Sequence, residues 1–282
     1  MITKNYIAKG EGANRFEKVP VRIYEKPSEA VKAVAREIAD LIRTNADKSE
    51  KCVLGLATGS SPIKLYEELV RMHREEGLSF KNVVSFNLDE YLPMPKESEQ
   101  SYHYFMHHHL FDHIDIDPKN IHIPDGTLEG DEIDKFCRDY EKAIEAAGGI
   151  DLQILGIGRT GHIGFNEPGS FITSQTRKVF LNDLTIKDAI KDFGSRNLVP
   201  TKAITMGVGT IMQARRVILM AWGEKKAPII KATVEGRVSD SVPATFLQMH
   251  SNVQFIIDES AASELTRADY PWLVSKVDWD DK

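Results

Sequence analysis

From residue 28 onward the apolar positions fall into a helical rhythm. Val31, Val34, Ala35, Ile38, Leu41 and Ile42 recur at three- and four-residue spacing, with Ser28 as the expected N-cap. An unbroken apolar run follows over residues 52–57. A run without polar alternation predicts a strand buried on both faces of a parallel sheet. It stops at Thr58-Gly59-Ser60-Ser61, and Pro62 suits the first turn of a helix reaching about His73. Further strands are predicted over 83–87, 152–157, 203–206, 217–222 and 253–257. Helices are predicted from about Ile133 to Gly148-Gly149 and over 227–234. This alternation predicts an α/β fold, a single doubly wound, mostly parallel sheet with helices on both faces, modified Rossmann-like. No repeat or linker divides the chain, so one domain is expected over 21–282, with 1–20 as an N-terminal extension.

In such sheets ligands sit beyond the carboxyl ends of the strands. The segments there are Thr58-Gly59-Ser60-Ser61, Leu88-Asp89-Glu90-Tyr91, Gly158-Arg159-Thr160-Gly161-His162 and Gly223-Glu224-Lys225-Lys226. They are expected to converge on one face.

Composition narrows the class. The chain has 282 residues, 41% hydrophobic and 28% charged, with a net charge of −6. Acids and bases are mixed along it, so no concentrated basic face points to nucleic acid as a partner. No apolar run approaches membrane-spanning length, so no membrane partner is expected. The first twenty residues lack a signal peptide's apolar core, and two distant cysteines, Cys52 and Cys137, read as reduced thiols. A cytoplasmic location is the expectation.

The stretch LGIGRTGHIGFNEPGS contains G-x-G-x-x-G, the dinucleotide signature. That reading needs a helix to start at the last glycine, and HIGFNEPGS with its Gly and Pro makes a poor one. Thr58-Gly59-Ser60-Ser61 between a strand and a helix offers free N–H groups and hydroxyls, either for a phosphate or simply as a helix cap. Lys226 offers a balancing cation or a solvated side chain. Asp89-Glu90 at a strand end reads as a general base with a raised pKa, or as a helix-capping acid pair. His162 between glycines, with Glu167 five residues on, reads as a tuned acid–base unit or as a buried structural histidine. His107-His108-His109 point about 100° apart on a helix and cannot all face one ion, so no metal is expected. Asp258-Glu259 reads as a cap or surface pair.

Taken in order, VLGLATGSSP, VVSFNLDEYL, LGIGRTGHIGFNEP, ITMGVGTI and GEKKA resemble the glucosamine-6-phosphate deaminases from about Val21 to about Glu264. The related 6-phosphogluconolactonases share the G-x-G-x-x-G-H core but do not usually continue with FNEP. The resemblance implies conversion of glucosamine 6-phosphate and water to fructose 6-phosphate and ammonia, with no organic cofactor or metal. It implies that His162 opens the sugar ring, Asp89 carries a proton from C2 to C1, and Glu167 orients His162. Glu90 and Tyr91 complete that loop. Thr58, Gly59, Ser60, Ser61, Gly161 and Lys226 belong to the substrate and phosphate site. It further implies a homo-oligomer. Three positions depart from the pattern. Thr160 stands where an Asp is usual. Lys191 stands, with a one-residue gap, where an arginine binds phosphate, and Arg196 is the alternative. At the allosteric positions Ser170 and Arg177 remain, but Val179 replaces a basic residue.

Overall fold

The structure, a computed structural model, describes residues 16–270. Most of the expected N-terminal extension and the apolar-then-acidic tail after Tyr270 lie outside the described residues. The first half of the chain comprises β1 (Val21–Tyr24), α1 (Pro27–Asp47), β2 (Cys52–Leu56), α2 (Ile63–Glu76), β3 (Val83–Asn87), β4 (Asp89–Leu92), α3 (Tyr102–His109), β5 (Ile121–His122) and α4 (Glu132–Ala146). The second half comprises β6 (Leu152–Leu155), β7 (Arg177–Phe180), α5 (Asp183–Phe193), β8 (Lys202–Thr205), α6 (Val208–Met212), β9 (Arg216–Ala221), α7 (Ala227–Glu235), β10 (Val253–Asp258) and α8 (Thr266–Asp269).

Seven strands form a wholly parallel sheet in the order β1-β10-β9-β6-β2-β3-β5. β2, β3 and β6 are buried at every position, which is why their sequences carry no polar alternation. The connections run from β2 outward to β3 on one side, and β6 leads to β9 on the other. The loops after β2 and β6 therefore part, and the crevice opens between them. α1 packs its apolar stripe, Ala30, Val34, Ile38 and Ile42, into the core.

A second sheet was not anticipated. β4, β8 and β7 pair antiparallel, with Asp89 opposite Thr205 and Thr205 opposite Arg177. Residues 89–92, expected as a loop, are thus a strand, and Lys202–Thr205 belongs to this small sheet rather than the parallel one. Met206 N–H donates to Leu88 O and welds the two sheets at the turn before Asp89. Ser28 is not the N-cap of α1, because the helix begins two residues earlier than that cap requires, at Pro27 with Lys26 at the cap, and the fixed φ of proline suits the first turn. No described helix is long and apolar enough to cross a membrane.

Candidate active site

One cleft gathers all four strand-end segments. Its walls include Thr58, Gly59, Ser60, Ser61, Asp89, Tyr91, Gly158, Arg159, His162, Lys191 and Lys226. β2 ends just before Thr58, and α2 begins just after Pro62, so the hydroxyl turn sits at the amino end of a fourteen-residue helix. Residues 58–61 line the cleft and lead into that helix, an arrangement suited to an anion. Lys226, on the loop after β9, donates to Ile157 O at 2.7 Å. Burial holds its pKa below the usual lysine value. Asp188 opposes that shift, and Lys191 and Arg159 add to it. Three cations therefore share one end of the cleft. Arg196, the alternative to Lys191, instead pairs with Asp183 at 2.8 Å outside the cleft.

The acid pair divides its labour. Glu90 is 2% exposed, and its carboxylate accepts the N–H groups of Tyr91, Tyr102 and His103 at 2.9, 3.0 and 2.9 Å. Tyr102 and His103 open α3, so Glu90 caps that helix and turns away from the cleft where the sequence had placed it. Alternation along β4 then sends Asp89 the other way, to the cleft floor. Asp89 is 5% exposed, and burial, followed by the neighbouring Glu90 charge, raises its pKa to about 8. Its Oδ2 lies against Gly164, where an added Cβ would come within 3.2 Å of it. Gly161, also expected at the substrate, is not among the cleft residues. Its backbone braces the loop, N–H to Gly158 O and C=O to Ala244 N–H.

Across the cleft, His162 Nδ1 lies 3.2 Å from Glu167 Oε2 and 2.9 Å from Thr160 Oγ1. Thr160 Oγ1 is also 3.0 Å from Glu167 Oε2. An ionised carboxylate only accepts, so the threonine proton goes to Glu167 and Thr160 can only accept from Nδ1. Nδ1 therefore carries a proton, which leaves Nε2 as the nitrogen available for chemistry. Burial pushes the Glu167 pKa up, but His162, Thr185 and Thr160 together outweigh it and hold it low.

Several residues of this cleft were not singled out from sequence. Tyr102 lies on α3, and Tyr91 packs on it at a 5.0 Å ring separation. Thr185 and Asp188 come from α5, a helix the apolar pattern did not reveal. Arg159 sits inside the glycine-rich stretch and pairs with Asp188 at 3.0 Å. The possible allosteric pair lies apart from the cleft wall. Arg177 donates to Asn166 Oδ1 at 2.8 Å and to Ser170 Oγ at 3.2 Å. The histidines of α3 scatter as expected: His107 pairs with Asp112 at 2.8 Å, and His108 packs on Tyr104. Asp258 does cap, accepting from Gly223 N–H and Ala261 N–H. Among the described residues no group of three His, Cys, Asp or Glu could hold a metal.

Comparison with known proteins places this geometry. The sequence profile described as glucosamine-6-phosphate isomerases/6-phosphogluconolactonase matches residues 25–256. A glucosamine-6-phosphate deaminase of Shewanella woodyi is 49% identical over 84% of this chain and 89% of its own length. One of Thermoanaerobacter sp. is 47% identical over 82% of this chain and 90% of its own. A deaminase-like protein of Bacteroides thetaiotaomicron is 48% identical over 95% of this chain, which spans 40% of that longer protein. Among solved structures, a monomeric glucosamine-6-phosphate deaminase superposes with a TM-score of 0.83 at 40% identity, covering 87% of this chain and 99% of its own. The 6-phosphogluconolactonase of Trypanosoma brucei, at 22% identity and a TM-score of 0.70 over 88% of this chain and 99% of its own, shares the fold. The chain belongs to the glucosamine-6-phosphate isomerase/6-phosphogluconolactonase family.

Proposed function

We propose that this chain is a glucosamine-6-phosphate deaminase, converting glucosamine 6-phosphate and water to fructose 6-phosphate and ammonia. The observation that carries this reading is the buried Asp89 carboxylate, with its pKa raised to about 8, on the floor of a cleft that has His162, paired with Glu167 behind it, on one wall and cations at one end. A lactone hydrolysis asks for no proton transfer between adjacent carbons. Asp89 is suited to that transfer, because a carboxylate shielded from water is a stronger base than one in solution.

In this reading the sugar phosphate docks with its phosphate at Thr58, Gly59, Ser60, Ser61, Lys191 and Lys226. His162 moves the proton between the ring oxygen and the C1 hydroxyl that opens the pyranose, with Glu167 and Thr160 holding the imidazole. Asp89 takes the C2 proton, giving an enolamine, and returns it to C1. Water then displaces ammonia from C2, leaving the ketose. Glu90 acts indirectly, by seating α3 and its Tyr102. A cytoplasmic setting accords with the two free cysteines, both buried. Assembly as a homo-oligomer is read by sedimentation, and one solved relative is described as monomeric.

The test is ammonia release from glucosamine 6-phosphate by the purified protein. Absence of ammonia at substrate concentrations that raise its Tm would sink the reading. Lys226→Met gives a second check. A charge-assisted hydrogen bond to phosphate contributes about 1.5–3 kcal/mol, so KM is expected to rise about 10- to 100-fold. The kcat should change far less, because that contact is made equally in ground and transition states. An unchanged KM would remove Lys226 from the phosphate site.

A further inference from the structure

Glu167 has two carboxylate oxygens, and the structure gives them different partners. Oε2 faces His162 Nδ1 and Thr160 Oγ1. Oε1 accepts from the hydroxyl of Thr185. Thr185 is 8% exposed and lies one turn into α5. The same face of α5 sends Asp188 to Arg159, and Lys191 to the cationic end of the cleft. Residues 185, 188 and 191 follow one another at three-residue spacing, so one helical stripe lines the wall. α5 thus touches the acid–base unit near its start and the cationic end of the cleft near its finish.

We propose that Thr185 is a positioning residue for the deamination reaction, fixing Glu167 so that Oε2 stays on His162. The proposal rests on the deaminase reading. A carboxylate with one oxygen unanchored turns about its terminal torsion, which is broad and two-fold. The donor on Oε1 removes that freedom, and with it the alternative in which Glu167 leaves the imidazole for water. A hydroxyl donor also favours the charged form of Glu167, the form that orients Nδ1–H. Thr160 cannot substitute, because its single proton is already committed to Oε2. The site therefore spans two elements. His162, Thr160 and Glu167 come from the glycine-rich loop after β6, and their anchor comes from α5, the helix that links β7 to β8.

Steady-state kinetics of ammonia release on Thr185→Val, Thr185→Ser and both single and double variants with Glu167→Ala tests this. Thr185→Val keeps the shape of the side chain and removes the donor. Its kcat is expected to fall about tenfold, the cost of one lost hydrogen bond of about 1.4 kcal/mol in the transition state, with KM changing less than threefold. Thr185→Ser restores the hydroxyl and should recover kcat to within about threefold. In the Glu167→Ala background the valine should cost less than twofold, because its effect runs through that carboxylate. Failure of serine to recover what valine loses would mean that the hydroxyl does not carry the effect and that Thr185 acts only through its fit in α5, which overturns the proposal. So would a tenfold loss that persists without Glu167, or a valine variant with full activity. If the wild type releases no ammonia, the deaminase reading falls and this proposal with it. An active wild type with an indifferent Thr185 removes the proposal alone.

Discussion

Asp89→Asn is expected to abolish most turnover while leaving a more stable protein. General base catalysis contributes about 10²- to 10⁴-fold, and an amide cannot take the C2 proton, so kcat should fall by that range. KM should move little, since the change removes no charge from the phosphate end. In the wild type the base must be ionised. With the Asp89 pKa at about 8, kcat/KM is expected to fall as pH drops below 8, losing about tenfold per unit. The stability effect has the opposite sense. An unfolded Asp titrates near 3.9, so between there and about 8 the folded state binds the extra proton. Stability from this group is fully present below the unfolded value and drains away as pH rises through the folded one. Asn is neutral throughout. The Tm of Asp89→Asn should therefore match the wild type near pH 4 and exceed it by pH 9. A Tm below the wild type at pH 9 would show that the carboxylate is held by partners that favour its charge. A kcat within threefold of the wild type would remove Asp89 as the base.

This division of Asp89 from Glu90 also shows where sequence runs out. The adjacent acids were legible as a strand-end pair, and either a base or a helix cap fits such a pair. Glu90 is the cap, and Asp89 is left facing the cleft as the proposed base, because β4 is a strand and alternation sends neighbours to opposite faces. That strand was not legible, since DEYL has no apolar alternation of its own, and its partner β8 lies more than a hundred residues away. The parallel strands were legible because burial on both faces leaves an unbroken apolar signature. β7 alternates half-buried with exposed positions, Arg177, Lys178, Val179 and Phe180, so its polar residues hide it. β8 was legible as a strand but was placed in the parallel sheet, so without β4 and β7 there was no small sheet, and without that sheet no reason to bring α5 to the cleft. Thr185 and Asp188 were missed for that reason. Lys191 was reached through family resemblance, not through periodicity. Arg159 lay in plain view inside the glycine-rich stretch, but its pairing with Asp188 needs the fold.

Gly158→Ala is expected to cost about 10²-fold or more in kcat/KM without unfolding the protein. Gly158 is the second glycine of the G-x-G-x-x-G stretch, the one that in a dinucleotide site lets the backbone approach a pyrophosphate. Here the close approach belongs to an imidazole. A Cβ at residue 158 would lie 2.1 Å from Cε1 and Nε2 of His162 and 2.4 Å from Cδ2. Those separations are far inside van der Waals contact, so either the loop or the ring must move. The loop is tied down, with Gly158 N–H on His162 O at 2.9 Å and Gly161 N–H on Gly158 O at 3.0 Å. The ring is the softer partner, but swinging it breaks the Nδ1 contacts to Thr160 and Glu167 at 2.9 and 3.2 Å. Overpacking of this kind costs about 1–3 kcal/mol in stability, which a protein of this size can tolerate. Displacing a catalytic group by about 1 Å costs about 10²-fold in rate. Adding Gly158→Ala to His162→Ala should therefore change activity less than threefold, because the ring it displaces is already gone. A Gly158→Ala protein with wild-type kcat/KM would show that Nε2 need not sit against this glycine. An additive loss in the double variant would assign the glycine to the backbone of the loop rather than to the histidine.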